Sequence, residues 1–199
     1  MKNYTIFIAL VLMTNLSISN LFATALPLED ITIGNTTESI FVNWNNLNQQ
    51  TIHVKIVTAN QEVVIDETVK NQTELMKQYN VSTLENGSYN LVITKKNSRI
   101  TQPFSIENGQ LKLSENDKKV KYLPVFTQKN NQFDVNVFLG YVGTITVNVF
   151  DEDQHTVFTQ AYTDVSFLHK RFSLNNTAEG VYKIAVTAGD ETFYYTFIK

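Results

Sequence analysis

Gly87-Ser88-Tyr89-Asn90-Leu91-Val92-Ile93 returns 93 residues later as Gly180-Val181-Tyr182-Lys183-Ile184-Ala185-Val186. In both copies a glycine stands two residues ahead of a tyrosine, and the apolar residues that follow alternate. A period of two places those side chains on one face of an extended strand. Sliding the sequence by the same interval aligns residues 38–106 with 131–199 without a gap. Identities include Val42/Val135, Ile52/Ile145, Val54/Val147, Leu75/Leu168, Lys77/Lys170, Thr94/Thr187 and Phe104/Phe197. Most fall on alternate apolar positions, so the two copies share core faces as well as a motif, and the chain reads as a duplicated domain.

Outward from the motif, each copy breaks into short alternating runs. Ile40, Val42 and Trp44 form one and Ile52, Val54 and Ile56 the next; Phe133, Val135, Val137 and Ile145, Val147, Val149 repeat them. Further strands are expected around 63–69, 75–81 and 99–106, and at 156–162, 168–174 and 192–198. Turn residues separate them: Asn45-Asn46 (Leu139-Gly140 in the second copy), Ala59-Asn60, Asp151–Asp153, Asn86-Gly87 and Ala188-Gly189-Asp190. With an extra first strand (31–33 and 121–127), each copy has about seven strands, the number found in immunoglobulin-like sandwiches. In such folds a tyrosine near the start of the sixth strand hydrogen-bonds back across a corner, two residues before an inward position. Tyr89 precedes Leu91 by that interval and Tyr182 precedes Ile184. The preceding glycine leaves the corner free to turn tightly. The expected fold is all-β, two tandem immunoglobulin-like sandwiches: 26–107 and 120–199, joined by a polar linker over 108–119 that opens on the turn signal Asn108-Gly109.

Residues 1–25 read as a cleaved secretory signal peptide. Lys2 supplies the positive end, Tyr4 to Met13 is apolar and uncharged, and Ala23-Thr24-Ala25 offers a cleavage site. The apolar run is short for a membrane span, and the mature chain has no other candidate. Composition narrows the partners. A formal net charge of −3 without basic runs argues against nucleic acid and anionic membranes. The chain has no cysteine, which rules out disulfides, thiolate metal sites, a cysteine nucleophile and a lipid-anchoring cysteine. Cysteine-free export fits a bacterium better than a small eukaryotic secreted domain.

Chemistry-bearing motifs are scarce. His53, His155 and His169 have no metal-ligand spacing and fall on solvent faces or beside a turn. No serine-nucleophile or phosphate-binding glycine motif occurs, and a small sandwich with short loops has little room for a deep cleft. No catalytic, cofactor-binding or metal residue is nominated, and the chain is read as non-enzymatic. Asp151-Glu152-Asp153 is the one dense acidic cluster; calcium, which takes oxygen ligands, is weighed there against a solvated hairpin tip. The aligned Thr58-Ala59-Asn60 shows that the fold does not need the acids. Phe138, Tyr141, Phe150, Tyr194 and Tyr195 exceed what the second core needs; exposed aromatics stack on sugars or anchor proteins, and packing against the linker or the first domain is weighed against that and favoured. The strand Phe193–Ile198 would be open to strand addition if it lay on a sheet edge.

The last thirty or so residues, from Phe172-Ser173-Leu174 through Gly180-Val181-Tyr182 to Phe197-Ile198-Lys199, resemble the C-terminal sorting domains of Bacteroidetes-type (type IX) secretion cargo. Signal peptide plus immunoglobulin-like copies also resembles small secreted proteins of the same bacteria whose function is uncharacterised. Two departures stand out: Thr177-Ala178-Glu179 lacks the usual proline, and the first copy carries the motif internally. The resemblance implies export and delivery to the cell surface, with the periplasm as the alternative. The expected function is an exported binding or structural protein facing a protein or glycan at the cell surface. The alternatives are secretion cargo sorted or attached by its second copy, and a carbohydrate-binding module.

Overall fold

The computed structural model describes residues 31–45, 47, 49–173, 175 and 177–199; the expected signal peptide lies outside them. The chain divides into two compact units, with the break in sequence between Lys121 and Tyr122. The fold is all-β, and each unit is a sandwich or a closely related wrap of strands around its own core.

In the first unit β1 (Ile31–Asn35), β2 (Ser39–Trp44) and β5 (Leu75–Asn80) form one sheet. β3 (Gln50–Thr58), β4 (Val63–Gln72), β6 (Gly87–Lys95), β7 (Ser98–Glu107) and β8 (Gln110–Leu113) form the other in the order β4-β3-β6-β7-β8, and β9 (Lys119–Tyr122) also pairs with β7. First, second and fifth strands on one sheet, third, sixth and seventh on the other, follows the immunoglobulin-type division, except that the fourth strand joins the third instead of the first sheet. Alternation decides which side chains meet between the sheets. Ile40, Val42 and Trp44 are buried while Phe41 and Asn43 face out. Ile52, Val54, Ile56, Leu91, Ile93 and Ile100 are fully buried in the same core, each contributing about 1.5–3 kcal/mol.

A polar contact ties the two sheets at their edge. Glu67 on β4 accepts from Lys77 Nζ at 2.6 Å and from the Tyr79 hydroxyl at 3.0 Å, both on β5. The Lys77 bond, opposed by partial burial, holds the Glu67 carboxyl below its ordinary range. Burial, and then the bond to Glu67, pushes the Tyr79 hydroxyl well above its usual value.

The second unit has the same pairing logic with fewer, longer strands: β10 (Val125–Lys129), β11 (Gln132–Phe150), β12 (Thr156–Ser173), β13 (Val181–Ala188) and β14 (Glu191–Ile198). β11 corresponds to β2 and β3 run together, and β12 to β4 and β5. The first half of β11 pairs with β10 and with the end of β12, and its second half pairs with the start of β12 and with β13. Both halves bury their alternate residues in one core with Leu168, Ile184 and Phe197. Strands that pass from one layer to the other through bulges make such corners, and the β11–β12 register breaks between Phe138 and Gly143 and again before Ile145. Leu139-Gly140, expected as a turn, is instead part of this bulged strand, with Gly140 at φ +79°. Phe138-Leu139-Gly140-Tyr141-Val142 replaces the asparagine-rich 45–49 with strand-forming residues, which lets the chain stay extended.

Two further expectations are revised. Residues 108–119 contain β8, which pairs back onto β7 with Glu107 opposite Gln110, so the stretch is not a free linker. Asn108 and Gly109, at φ 53° and 74°, make the tight hairpin turn. The corner glycine is required only in the second copy: Gly180 has φ +153°, whereas Gly87 is not among the positive-φ residues. Elsewhere the copies share even unusual backbone. Gln61 and Gln154 (φ 66° and 62°), and Asn71 and Asp164 (φ 55° and 56°), are left-handed at equivalent positions.

Candidate binding face

The repeated tyrosine is placed identically twice. Tyr89 Oη donates to Glu85 O at 2.9 Å and Tyr182 Oη to Ala178 O at 2.9 Å. Tyr89 stacks on Phe104 and Tyr182 on Phe197, each pair at 5.3 Å between centroids. The hydroxyl closes the corner and the ring fills the core, so the motif is architectural in both copies.

Outward residues of β13 alternate with the core residues Tyr182, Ile184 and Val186. Val181, Lys183, Ala185 and Thr187 therefore face away, flanked by Asn148 and Phe150 on β11 and by Thr192, Tyr194 and Thr196 on β14. Together with the hairpin at Asp151, Glu152 and Gln154 they line a groove of about 580 Å³. Ala185, opposite Tyr194 in register, is the small residue at its floor; the aligned residue of the first copy is the larger Val92. Strand spacing puts Phe150 and Tyr194 roughly 10–12 Å apart across it. Lys183 Nζ lies 4.3 Å from the centre of the Tyr194 ring, and Asp151 and Glu152 line the same groove. Such a surface offers ring faces, hydroxyls, two carboxylates and one cation.

Of the five aromatics, the structure brings only Phe150 and Tyr194 together. Tyr195 points to the opposite face and stacks on Phe126 at 5.1 Å. Phe138 meets Tyr122 edge-on at 5.3 Å. Tyr141 is 55% exposed, with its hydroxyl where a Cβ on Gly189 would come within 2.5 Å. The acidic cluster is partly spent on its own turn. Asp151 Oδ1 accepts from the His155 N–H at 2.8 Å, and the backbones of the two residues are bonded at 3.0 Å. Among the described residues no group of three or more His, Asp or Glu is placed to hold a metal ion. His53 and His169 lie on solvent faces beside Thr68 (3.0 Å) and Asn136 (2.6 Å). Arg171 grips Asp134 with two bonds of 2.7 and 2.8 Å, which hold the Asp134 carboxyl low; this pair links β11 to β12. The groove itself was hard to see in sequence, because the signal is a small residue, Ala185, at an outward position between two rings on other strands.

Residues 35–107 match a known family. Its model is described as "Secretion system C-terminal sorting domain". The match covers the first copy, whereas the resemblance in sequence was read on the last thirty residues, outside it. No curated protein matches the chain. Among solved structures the chain is similar to "Biofilm associated protein - BSP domain" at 12% identity and a TM-score of 0.28, over 85% of this chain and 29% of that one. It is also similar to the chicken CNTN1 FN1-FN3 domains at 10% and 0.29, over 86% and 64%. A two-domain fibronectin type-III segment of chicken tenascin follows at 9% and 0.28, over 86% and 97%. The chain thus spans under two thirds of the first two. The sandwich assignment rests on the strand order and on the paired tyrosine corners. Among the described residues no helix is long and apolar enough to cross a membrane.

Proposed function

We propose that the chain is an exported, non-catalytic protein of the cell surface, built from two sandwiches of the sorting-domain type. The match of residues 35–107 to the sorting-domain model carries this reading. The gapless repeat of that sandwich over 131–199, corner tyrosine included, supports extending it to the second copy. On this reading the modules are handled by a type IX export apparatus and held at the surface, and no step of bond chemistry is involved. The test is localisation of the full chain in a bacterium that has the apparatus and in a strain lacking it. Protease-accessible protein on intact cells should appear only in the first. Equal surface exposure in both strains would refute the reading.

A second reading concerns what the surface-held protein engages. The groove over β11, β13 and β14, with Phe150 and Tyr194 on either side of Ala185 and hydroxyls between, suits a glycan chain. Glycan-array binding that is abolished by Phe150→Ala and Tyr194→Ala would support it; an array without signal would exclude it.

A further inference from the structure

β14 pairs with β13 along one edge, and among the described residues no strand pairs with its other edge. The Lys199 N–H donates to Gly180 O at 3.0 Å, which fixes the alternation of the backbone groups. Odd-numbered residues of β14 turn their N–H and C=O toward β13. Thr192, Tyr194, Thr196 and Ile198 turn theirs outward. Ile198 O is met by Gln128 Nε2 at 3.0 Å.

The first sandwich treats the same edge differently. There β8 and β9 lie along β7, and Pro103, at the position of Thr196, has no N–H to present. Between Thr192 and Thr196, β14 carries no proline, charge or bulge to guard its edge, and its register with β13 runs unbroken from Glu191 to Ile198. Half-buried rings border it on the inner side, Phe193 and the stacked pair Tyr195–Phe126.

We propose that this edge is closed by the same strand of a second copy of the chain, antiparallel across a twofold axis at Tyr194. In that register Tyr194 stands opposite the second copy's Tyr194, and Thr192 opposite its Thr196. The six outward N–H and C=O groups of each strand then satisfy one another, while Ile198 keeps Gln128. On the inner face Phe193 meets the second copy's Tyr195 at the close, non-hydrogen-bonded sites where cross-strand aromatic pairs are favoured. The only charge within β14 is Glu191, which stands opposite the second copy's Phe197, so no like charges are brought together. The strand is thus its own complement, in its hydrogen-bonding residues and in its rings. That favours a second copy over an unrelated strand.

Sedimentation of the full chain over a range of concentrations reads the association. A monomer–dimer equilibrium is expected. Thr196→Pro, which copies Pro103 and removes one outward N–H, should weaken it at least tenfold, with circular dichroism unchanged. Tyr194→Lys, which sets two ammonium groups face to face, should do the same should the proline disturb folding. Because the chain has no cysteine, Tyr194→Cys gives a register test. Opposed residues in a hydrogen-bonded pair are about 5.5 Å apart at Cα, within disulfide reach. Mild oxidation should cross-link Tyr194→Cys and leave Ile198→Cys uncross-linked. A chain that is monomeric at every concentration, including one that instead binds a synthetic strand peptide, would overturn the proposal. So would a dimer that persists in both edge variants.

Discussion

Removal of one hydroxyl, in Tyr89→Phe, separates the architectural role of the repeated motif from any other. The Tyr89 side chain is 7% exposed and its ring stacks on Phe104 at 5.3 Å, contacts that phenylalanine keeps. What is lost is the bond to Glu85 O at 2.9 Å. Glu85 itself is exposed, so water can reach the freed carbonyl, and the cost stays near the net value of one hydrogen bond, about 1 kcal/mol. For a domain of this size that lowers the melting temperature by roughly 4–8 °C. Trp44 is the single tryptophan and is 1% exposed in the first core, so its fluorescence reports that unit alone. The expected result is an earlier Trp44 transition at constant denaturant dependence. Tyr182→Phe should lower, by a similar amount, the calorimetric transition that Trp44 does not follow. A Trp44 midpoint unmoved by Tyr89→Phe would refute the corner reading.

Glu67 has a folded pKa below its ordinary value, so its contribution is full above about pH 4.5 and is lost as pH falls through the lower, folded value. Glu67→Gln should remove that acid-side loss, a term of about 0.5–1 kcal/mol for so exposed a pair, read from Trp44 unfolding between pH 2 and 6. Gly140→Ala should cost about 1–2 kcal/mol through its left-handed backbone alone, since a Cβ there touches only Phe138 at 3.6 Å. Gly189→Ala should cost a similar amount through its own left-handed backbone (φ +66°), because the exposed Tyr141 side chain whose hydroxyl a Cβ would meet can swing away; a much larger loss in chemical denaturation would contradict this. Asp151→Ala should destabilise the second unit by about 1 kcal/mol through loss of its turn bond, while added calcium leaves the wild-type melting temperature in place.

Much of the sandwich was legible because its core is written in alternation: Ile52, Val54 and Ile56, or Leu91 and Ile93, can be assigned a face before any contact is known. The duplication doubled that signal. What misled was turn chemistry. Gly140 looks like a turn glycine, and a bulge and a turn ask for the same left-handed backbone; only the strand-forming neighbours Phe138, Tyr141 and Val142 tell them apart. Asn108-Gly109 was recognised as a turn, yet the polar setting hid Leu111 and Leu113, which return the chain to β7 instead of leaving it. The aromatics could be counted from sequence but not grouped. Tyr194 and Tyr195 are neighbours that point to opposite faces, and the partner of Tyr194 in the groove, Phe150, lies two strands away.

The run-together strands β11 and β12 also bear on the order in which the two units are built. In the second unit, residues 132–173 form one long hairpin closed at 151–155. Pairing begun at that tip can zip outward, through Val149 opposite Phe158 to Phe133 opposite Phe172, with only the short bulge at 139–142 to close on the way. In the first unit the pairing of β2 with β5, from Trp44 opposite Leu75 to Ser39 opposite Asn80, lies on a different sheet from the β3–β4 hairpin. It has to find itself separately, with its own loss of chain entropy. The later copy in the chain therefore has the more local route to its first pairings, and stopped-flow refolding should show the phase that Trp44 does not report preceding the Trp44 phase.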